Sequence, residues 1–236
     1  MQWSAEVLII GTRRHGETSV IIEVMTTGHG RHMGLVRGGR SRRLKAVLQP
    51  GNSVLVTWRA RLDEHLGAFT VEPLTARAAG LMDDRRRLFL VQLICAHLRL
   101  LPERDPHSVL YEEALAMIDN PGDPVVLGAA LARFELLLLD ELGFGLDLSN
   151  CAATGATDDL VYVSPKSGRA VSGAAGAAYK EKLLRLPPFL LDGSAPMAAA
   201  VADGLALTGY FLSAHVWAAR GIDPPSTRDS LIATLL

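Results

Sequence analysis

Along residues 1–73 the apolar positions fall in short runs broken by glycine, proline and charge, which predicts strands rather than helices. Trp3 to Ile10 is the first run and stops at Gly11. Ser19 to Met25 is the second, β-branched, and stops at Thr27-Gly28. Arg31 to Arg37 is the third. Asn52 to Arg59 alternates well and puts Val54, Val56 and Trp58 on one face. Gly67 to Glu72 is the fifth, ahead of Pro73. Between the third and fourth runs, Arg42 to Leu48 has the length of about two helical turns and ends at Pro50-Gly51. Five short strands with a small helix between the third and fourth is the order of an OB-type barrel.

Past Leu81 the period becomes helical. Asp83 is the expected cap of a helix whose Leu88, Val91, Ile94, Cys95 and Leu98 share a face, with Pro102 as its stop. Pro106, capped by Asp105, opens a second helix toward Ile118. A third spans about Pro124 to Leu142, with Leu127, Leu131, Phe134 and Leu138 as its stripe and apolar residues on most other faces, as in the centre of a bundle. Residues 146–175 are polar and glycine-rich around a short strand, Leu160 to Val163. Helix is expected again over Ala175 to Arg185 and, at greatest length, over Ala195 to Arg220. A capping-box-like start at Ser226 leads into a last short helix. The predicted class is α+β: an N-terminal five-stranded OB-type β-barrel, residues 1–80, then a mostly α-helical domain, residues 81–236.

Charge alters this picture more than composition does. Forty-nine per cent apolar and 21 per cent charged residues describe an ordinary folded chain, and the net charge is only −1. Residues 1–80, however, carry eleven Lys/Arg against six Asp/Glu, and the remainder thirteen against nineteen. A basic barrel followed by an acidic helical region points to a polyanion-binding module on a different kind of platform. Two cysteines give no disulfide framework. With neither a signal-peptide profile nor an apolar stretch of membrane-spanning length, the expected location is the cytoplasm.

The densest cationic stretch runs from Arg31 to Lys45, six Lys/Arg in fifteen residues and no acid. Gly38-Gly39 there lets the backbone come close to a ligand, and arginine forks onto phosphate oxygens. The competing reading is a solvated basic loop. With Arg13 and Arg14 added, the set Arg13, Arg14, Arg31, Arg37, Arg40, Arg42, Arg43 and Lys45 forms the candidate nucleic-acid-binding group, with strongly salt-dependent binding expected. Trp3, Trp58 and Phe69 are the only aromatics nearby for base stacking, and alternation assigns Trp58 to the core.

Catalytic constellations are missing from the sequence. His29 and His32 are expected to point apart at a strand start, with Asp63-Glu64 in a separate turn, so no metal site is expected. Gly11 to Gly16 is followed by Glu17 where a P-loop needs lysine, and no G-x-S-x-G occurs. The expectation is a binding protein and not an enzyme. Two alternatives stay open: an OB-type RNA-binding accessory factor, and a metal-dependent nuclease using His29, His32, Asp63 and Glu64.

With these pieces placed, the chain resembles the RecO family of bacterial recombination mediators. The residues that carry this are Val36-Arg37-Gly38-Gly39-Arg40, Leu48-Gln49-Pro50-Gly51, Leu66-Gly67 to Val71-Glu72, Phe134 to Gly143 and the segment around Cys151, in the family's order. The resemblance implies an OB barrel and a helical domain that bind single- and double-stranded DNA, anneal complementary strands, and work with RecR and the single-stranded-DNA-binding protein to load RecA. It implies that Arg37, Arg40, Arg42, Arg43 and Lys45 contact DNA. A basic-rimmed apolar groove for the acidic C-terminal tail of the single-stranded-DNA-binding protein would draw on Arg133, Leu137 and Arg185. Family members often carry a zinc knuckle of two C-x-x-C pairs. Here Cys151 stands in the first position, but Thr154, Ser172 and Ala175 stand in the others. The knuckle's fold is therefore expected without metal, packed by Leu160, Tyr162 and Val171.

Overall fold

The computed structural model describes residues 1–81 and 83–236. The chain divides into two compact units, Met1–Ile118 and Asp119–Leu236. The expected division near residue 80 coincides with the end of the barrel strands, whereas the first unit also takes in the two helices that follow.

In that unit, β1 (Gln2–His15), β2 (Ser19–Thr26), β3 (Gly30–Val36), β4 (Ser53–Arg59) and β5 (Ala68–Thr75) form a closed barrel in the order β1-β2-β3-β5-β4, with α1 (Arg42–Val47) between β3 and β4. Closure rests on the single bridge between β3 and β5, so among the described residues those two strands keep most of their facing edges outside any ladder. The first half of β1 pairs with β4, Gln2 opposite Arg59 through Leu8 opposite Ser53, and the second half pairs with β2 as far as His15 opposite Ser19. Its register shifts between Ile9 and Gly11, a bulge of the kind that lets one strand bend between two sheets. Gly11 is thus a bend within the strand and not its end, and Arg13 and Arg14 lie on β1 beyond it. A single parallel step, Leu35 opposite Ala68, joins β3 to β5.

Val7, Ile9, Ile22, Val24, Val54, Val56 and Trp58 fill the barrel. Leu8, Ile10, Ile21 and Met25 are buried as well, although alternation turns them outward. Helix α2 (Arg85–Leu98) packs on β1, which accounts for the unbroken apolar run Val7 to Ile10. Asp84, one residue later than expected, caps α2 by accepting from the Arg87 N–H at 3.1 Å. β5 runs on through Pro73, which pairs with Val54 beside a register shift and lies beyond the step that joins β5 to β3. A proline is tolerated on that otherwise unpaired side. α3 (Ser108–Asp119) completes this part of the chain.

The second unit is built on α4 (Pro124–Glu141) and α6 (Ala198–Phe211), which continues through a π-helical turn (Leu212–Trp217) into α7 (Ala218–Arg220), with α8 (Ser226–Leu235) last. Asp123 caps α4, its carboxylate accepting from the Val125 and Val126 N–H groups. α4 and α6 approach closely because of glycines. A Cβ at Gly128 of α4 would come within 2.4 Å of Val201 of α6, and one at Gly204 of α6 would lie 3.5 Å from Ala132 of α4 and 2.9 Å from the Phe189 ring, which packs in beside them. Glu135, in the middle of the leucine-rich stretch of α4, has no exposure and holds a bidentate pair with Arg228 of α8, both contacts at 2.8 Å, while the Thr208 hydroxyl donates to the same carboxylate. Among the described residues no side chain caps α8, contrary to the expected capping box, and the helix is anchored by this pair.

Between α4 and α6 lies a three-stranded sheet of β6 (Leu160–Val163), β7 (Ala170–Ser172) and β8 (Leu184–Arg185), in the order β7-β6-β8. The expected helix over Ala175–Arg185 is instead a four-residue α5 (Gly173–Gly176), a 3-10 segment (Ala177–Lys182) and β8. Tyr162 pairs with Arg185, and this pairing pulls the end of the segment into extended form. Leu160, Tyr162 and Val171 are buried as expected. Cys151 adjoins Ser172, whose N–H donates to its sulfur at 3.3 Å; hydrogen bonding from the Ser172 side chain first, then from the Thr154 side chain and this N–H, brings the thiol down to about 6. No described helix is long and apolar enough to cross a membrane.

Replacing Arg228 by Met leaves the Glu135 carboxylate buried without its counter-charge and is expected to cost about 3–5 kcal/mol in urea unfolding. The pair replacement Glu135→Leu with Arg228→Met should recover most of that loss. An unchanged midpoint for the single variant would contradict this role.

Candidate nucleic-acid interface

Three local devices shape the basic face of the barrel. The β1–β2 hairpin turns at Gly16, where φ is +59°. β3 ends at Val36, and the chain turns through Gly38, φ +66°, into Gly39, which is buried against the barrel. A Cβ at Gly39 would lie 3.0 Å from Val20 and 3.1 Å from Leu48, so only glycine sits there without displacing them. The Arg40 N–H then donates to the Thr18 carbonyl at 3.0 Å, and its guanidinium donates to the carbonyls of Gly16 and Glu17. The loop after β3 is thereby tied to the β1–β2 turn. Ser41 caps α1 by accepting from the Leu44 N–H, and the Asn52 side-chain amide donates to the carbonyls of Ala46 and Val47 at the far end of the helix. Both ends of this six-residue helix are held, although its length alone would not sustain it.

These elements enclose a cleft of about 350 Å³ with Arg13, Arg14, Arg40 and Lys45 on its walls, Val20, Gly39 and Leu48 at its base, and no acidic side chain among its lining residues. Arg13 and Arg14 come from β1, Arg40 from the loop and Lys45 from α1. Four cations from three elements converge on one concave surface whose base is buried. Such a surface suits phosphate oxygens. It offers arginine forks, a lysine point charge and no carboxylate to compete.

The family model described as Recombination protein O N terminal matches residues 1–77, and that described as Recombination protein O C terminal matches residues 82–220. The chain belongs to the RecO family. Relatives named DNA repair protein RecO from Brucella abortus (57% identical, covering 98% of this chain and 95% of the relative), Mesorhizobium japonicum (57%, 100% and 94%) and Methylobacterium nodulans (55%, 99% and 97%) are similar to it along nearly their whole lengths.

The remaining candidate residues of this RecO-family chain fall in different places. Arg37, Arg42 and Arg43 are exposed on the loop and the first turn of α1, beside the cleft but not on its walls. Arg31 stands apart. It is ion-paired with Glu23, donates to the Leu101 carbonyl at 2.7 Å, and shares Glu23 with Arg99, whose Nε lies 2.7 Å from the second carboxylate oxygen. The sequence counted Arg31 with the loop because they adjoin along the chain, but its guanidinium is spent on a nearly buried acid. In the second unit, the Arg133 guanidinium lies 5.3 Å from the centre of the Phe189 ring and that of Arg185 lies 5.0 Å from Tyr162, on separate elements. Leu137 is half-buried on α4. None of these three lines the groove of about 460 Å³ that Leu205, Tyr210 and Trp217 help to form.

His29 and His32 do not diverge as expected. Both line one cleft, together with Asp63, Trp3 and Arg104. Even so, no group of three or more His, Cys, Asp or Glu among the described residues is arranged to hold a metal ion. A single turn produces the convergence: Thr26 accepts from the His29 N–H at 2.7 Å, and Gly30 turns with φ +61°.

Gly39→Val should destabilise the protein by about 1–3 kcal/mol through overpacking against Val20 and Leu48, whereas Arg37→Ala, an exposed change, should stay within about 0.5 kcal/mol of the parent. Urea unfolding followed by circular dichroism checks both. Equal stability of the two variants would remove the close approach at Gly39 from the account of the cleft.

Proposed function

We propose that the chain is a non-enzymatic DNA repair mediator that binds single- and double-stranded DNA and anneals complementary strands. The observation that carries this reading is the acid-free cleft of Arg13, Arg14, Arg40 and Lys45. Two strands repel each other through their phosphates. Capture of both on one cationic surface offsets that repulsion, and bases held close can then pair. Contacts to phosphate carry no sequence information, so annealing of any complementary pair follows. Arg37, Arg42 and Arg43 extend the same surface outward. The acidic balance of residues 81–236 limits indiscriminate coating of DNA by the same chain.

Family membership supports partners of the same kind: RecR, the acidic C-terminal tail of the single-stranded-DNA-binding protein and, through them, RecA. Arg133 and Arg185, exposed and resting on aromatic rings, are the cations we assign to the acidic tail, with Leu137 as an apolar neighbour. The knuckle-like insert works without zinc in this reading. Its one thiol, Cys151, is engaged by Ser172 and cannot make up the four-ligand set of a structural site. The work is assigned to the cytoplasm.

The test is annealing of two complementary labelled oligonucleotides over a salt series. Charge reversal of Arg13, Arg14, Arg40 and Lys45 together should abolish annealing and lower the salt slope of single-strand binding by roughly 3, at about 0.7 for each phosphate no longer neutralised. Arg31→Ala should leave the slope unchanged and reduce stability instead. Undiminished annealing by the folded four-residue variant would overturn the proposal.

A further inference from the structure

The second cleft of the barrel, about 550 Å³, lies at the opposite end of β3 from the basic one, between the start of β1, the β2–β3 turn and the β4–β5 loop. Its wall is a ladder of rings. Trp3, half-buried, stacks on Trp58 in the core with centroids 5.9 Å apart and planes 21° apart. His29 stacks on Trp3 at 4.2 Å and 17°. His32 tilts against both tryptophans, at 5.3 Å from Trp3 and 4.8 Å from Trp58. Among these rings Trp58 has its N–H satisfied, by the Leu66 carbonyl at 3.1 Å.

His32 is the anomaly. It is 3% exposed, yet neither ring nitrogen has a hydrogen-bond partner among the described residues. A buried imidazole with a donor and an acceptor both idle is rare and calls for an explanation. Burial, then the neighbouring Arg104 and His29, lowers it to about 4, so the ring is neutral near pH 7 and presents one N–H and one lone pair. Arg104 occupies the left-handed region, φ +65°, and is held there by its N–H donating to the Arg31 carbonyl at 2.8 Å. Its side chain, steadied by the His65 carbonyl, brings a cation to the same cleft in which Asp63 offers an acceptor.

Stacked rings, an idle donor–acceptor pair and a neighbouring cation are together the requirements of an unstacked base with its phosphate. We propose that this cleft receives one base of single-stranded DNA, laid against the His29–Trp3 stack, with its edge on His32 and its flanking phosphate on Arg104. The inference rests on the DNA-binding reading above and gives the barrel a second, base-sensing site. Along β3, His32 and Arg37 are about 16 Å apart, so one strand of the roughly 4–16 nucleotides that OB folds accommodate reaches both clefts.

The experiment compares binding of a labelled single-stranded oligodeoxynucleotide with that of an abasic strand bearing the same number of phosphates. The proteins are the full chain, His29→Ala, His32→Phe and Arg40→Glu, each checked for folding by circular dichroism. The natural chain should prefer the base-bearing strand by roughly 5- to 150-fold, the equivalent of about 1–3 kcal/mol for one stacked base. His29→Ala and His32→Phe should shrink that ratio toward one without altering the salt slope. Arg40→Glu should weaken both strands alike and leave the ratio standing. A natural chain that binds both strands equally, or histidine variants that keep the full ratio, would overturn the base site while leaving the basic cleft intact. Failure of the natural chain to bind either strand would overturn the DNA-binding reading as well.

Discussion

The barrel depends on β1 satisfying two partners in succession. Its first half must hydrogen-bond to β4 and its second half to β2, and both ladders can form only if the strand bends at the bulge before Gly11. At that bend a Cβ would lie 3.0 Å from the Glu23 carboxylate, which itself is held by Arg31 and Arg99. Closure thus delivers Trp3 to one end of the barrel and Arg13-Arg14 to the other. The two clefts are consequences of one strand's path.

The arginines were visible in the sequence, but what they face was not. Arg13 and Arg14 follow a glycine and carry charge, so a local reading ends the strand before them; their pairing with Val20 and Ile21 is a matter of the hairpin as a whole. Proximity along the chain put Arg31 with the loop, while its true partner Glu23 lies across the β2–β3 ladder. Strand alternation was legible wherever one face alone is buried, as for Val54, Val56 and Trp58. It was lost from Val7 to Ile10, where α2 covers the outer face and all four residues are buried. The five strands and the small helix were still read in their correct order, because turn-forming glycines punctuate them.

In the helical half, periodicity located α4 and the long α6–α7 run but said nothing of Glu135, which reads as a polar interruption and serves as the acceptor for Arg228 far along the chain. The segment after β7 has helical composition, yet strand pairing of β8 with β6 overrides local propensity in its last residues. His29 and His32 show the same limit. Their spacing on an extended chain argues for divergence, and a turn of three residues brings them into one cleft.

In the proposed function, DNA lies on the barrel through the cleft formed by β1, the loop after β3 and α1. Amide hydrogen exchange of the full chain, with and without a single-stranded oligodeoxynucleotide at low salt, tests it most directly. Slowed exchange at residues 12–18 and 38–49, reversed when salt is raised, is the expected result. Protection confined to residues 119–236, with the barrel unchanged, would contradict it.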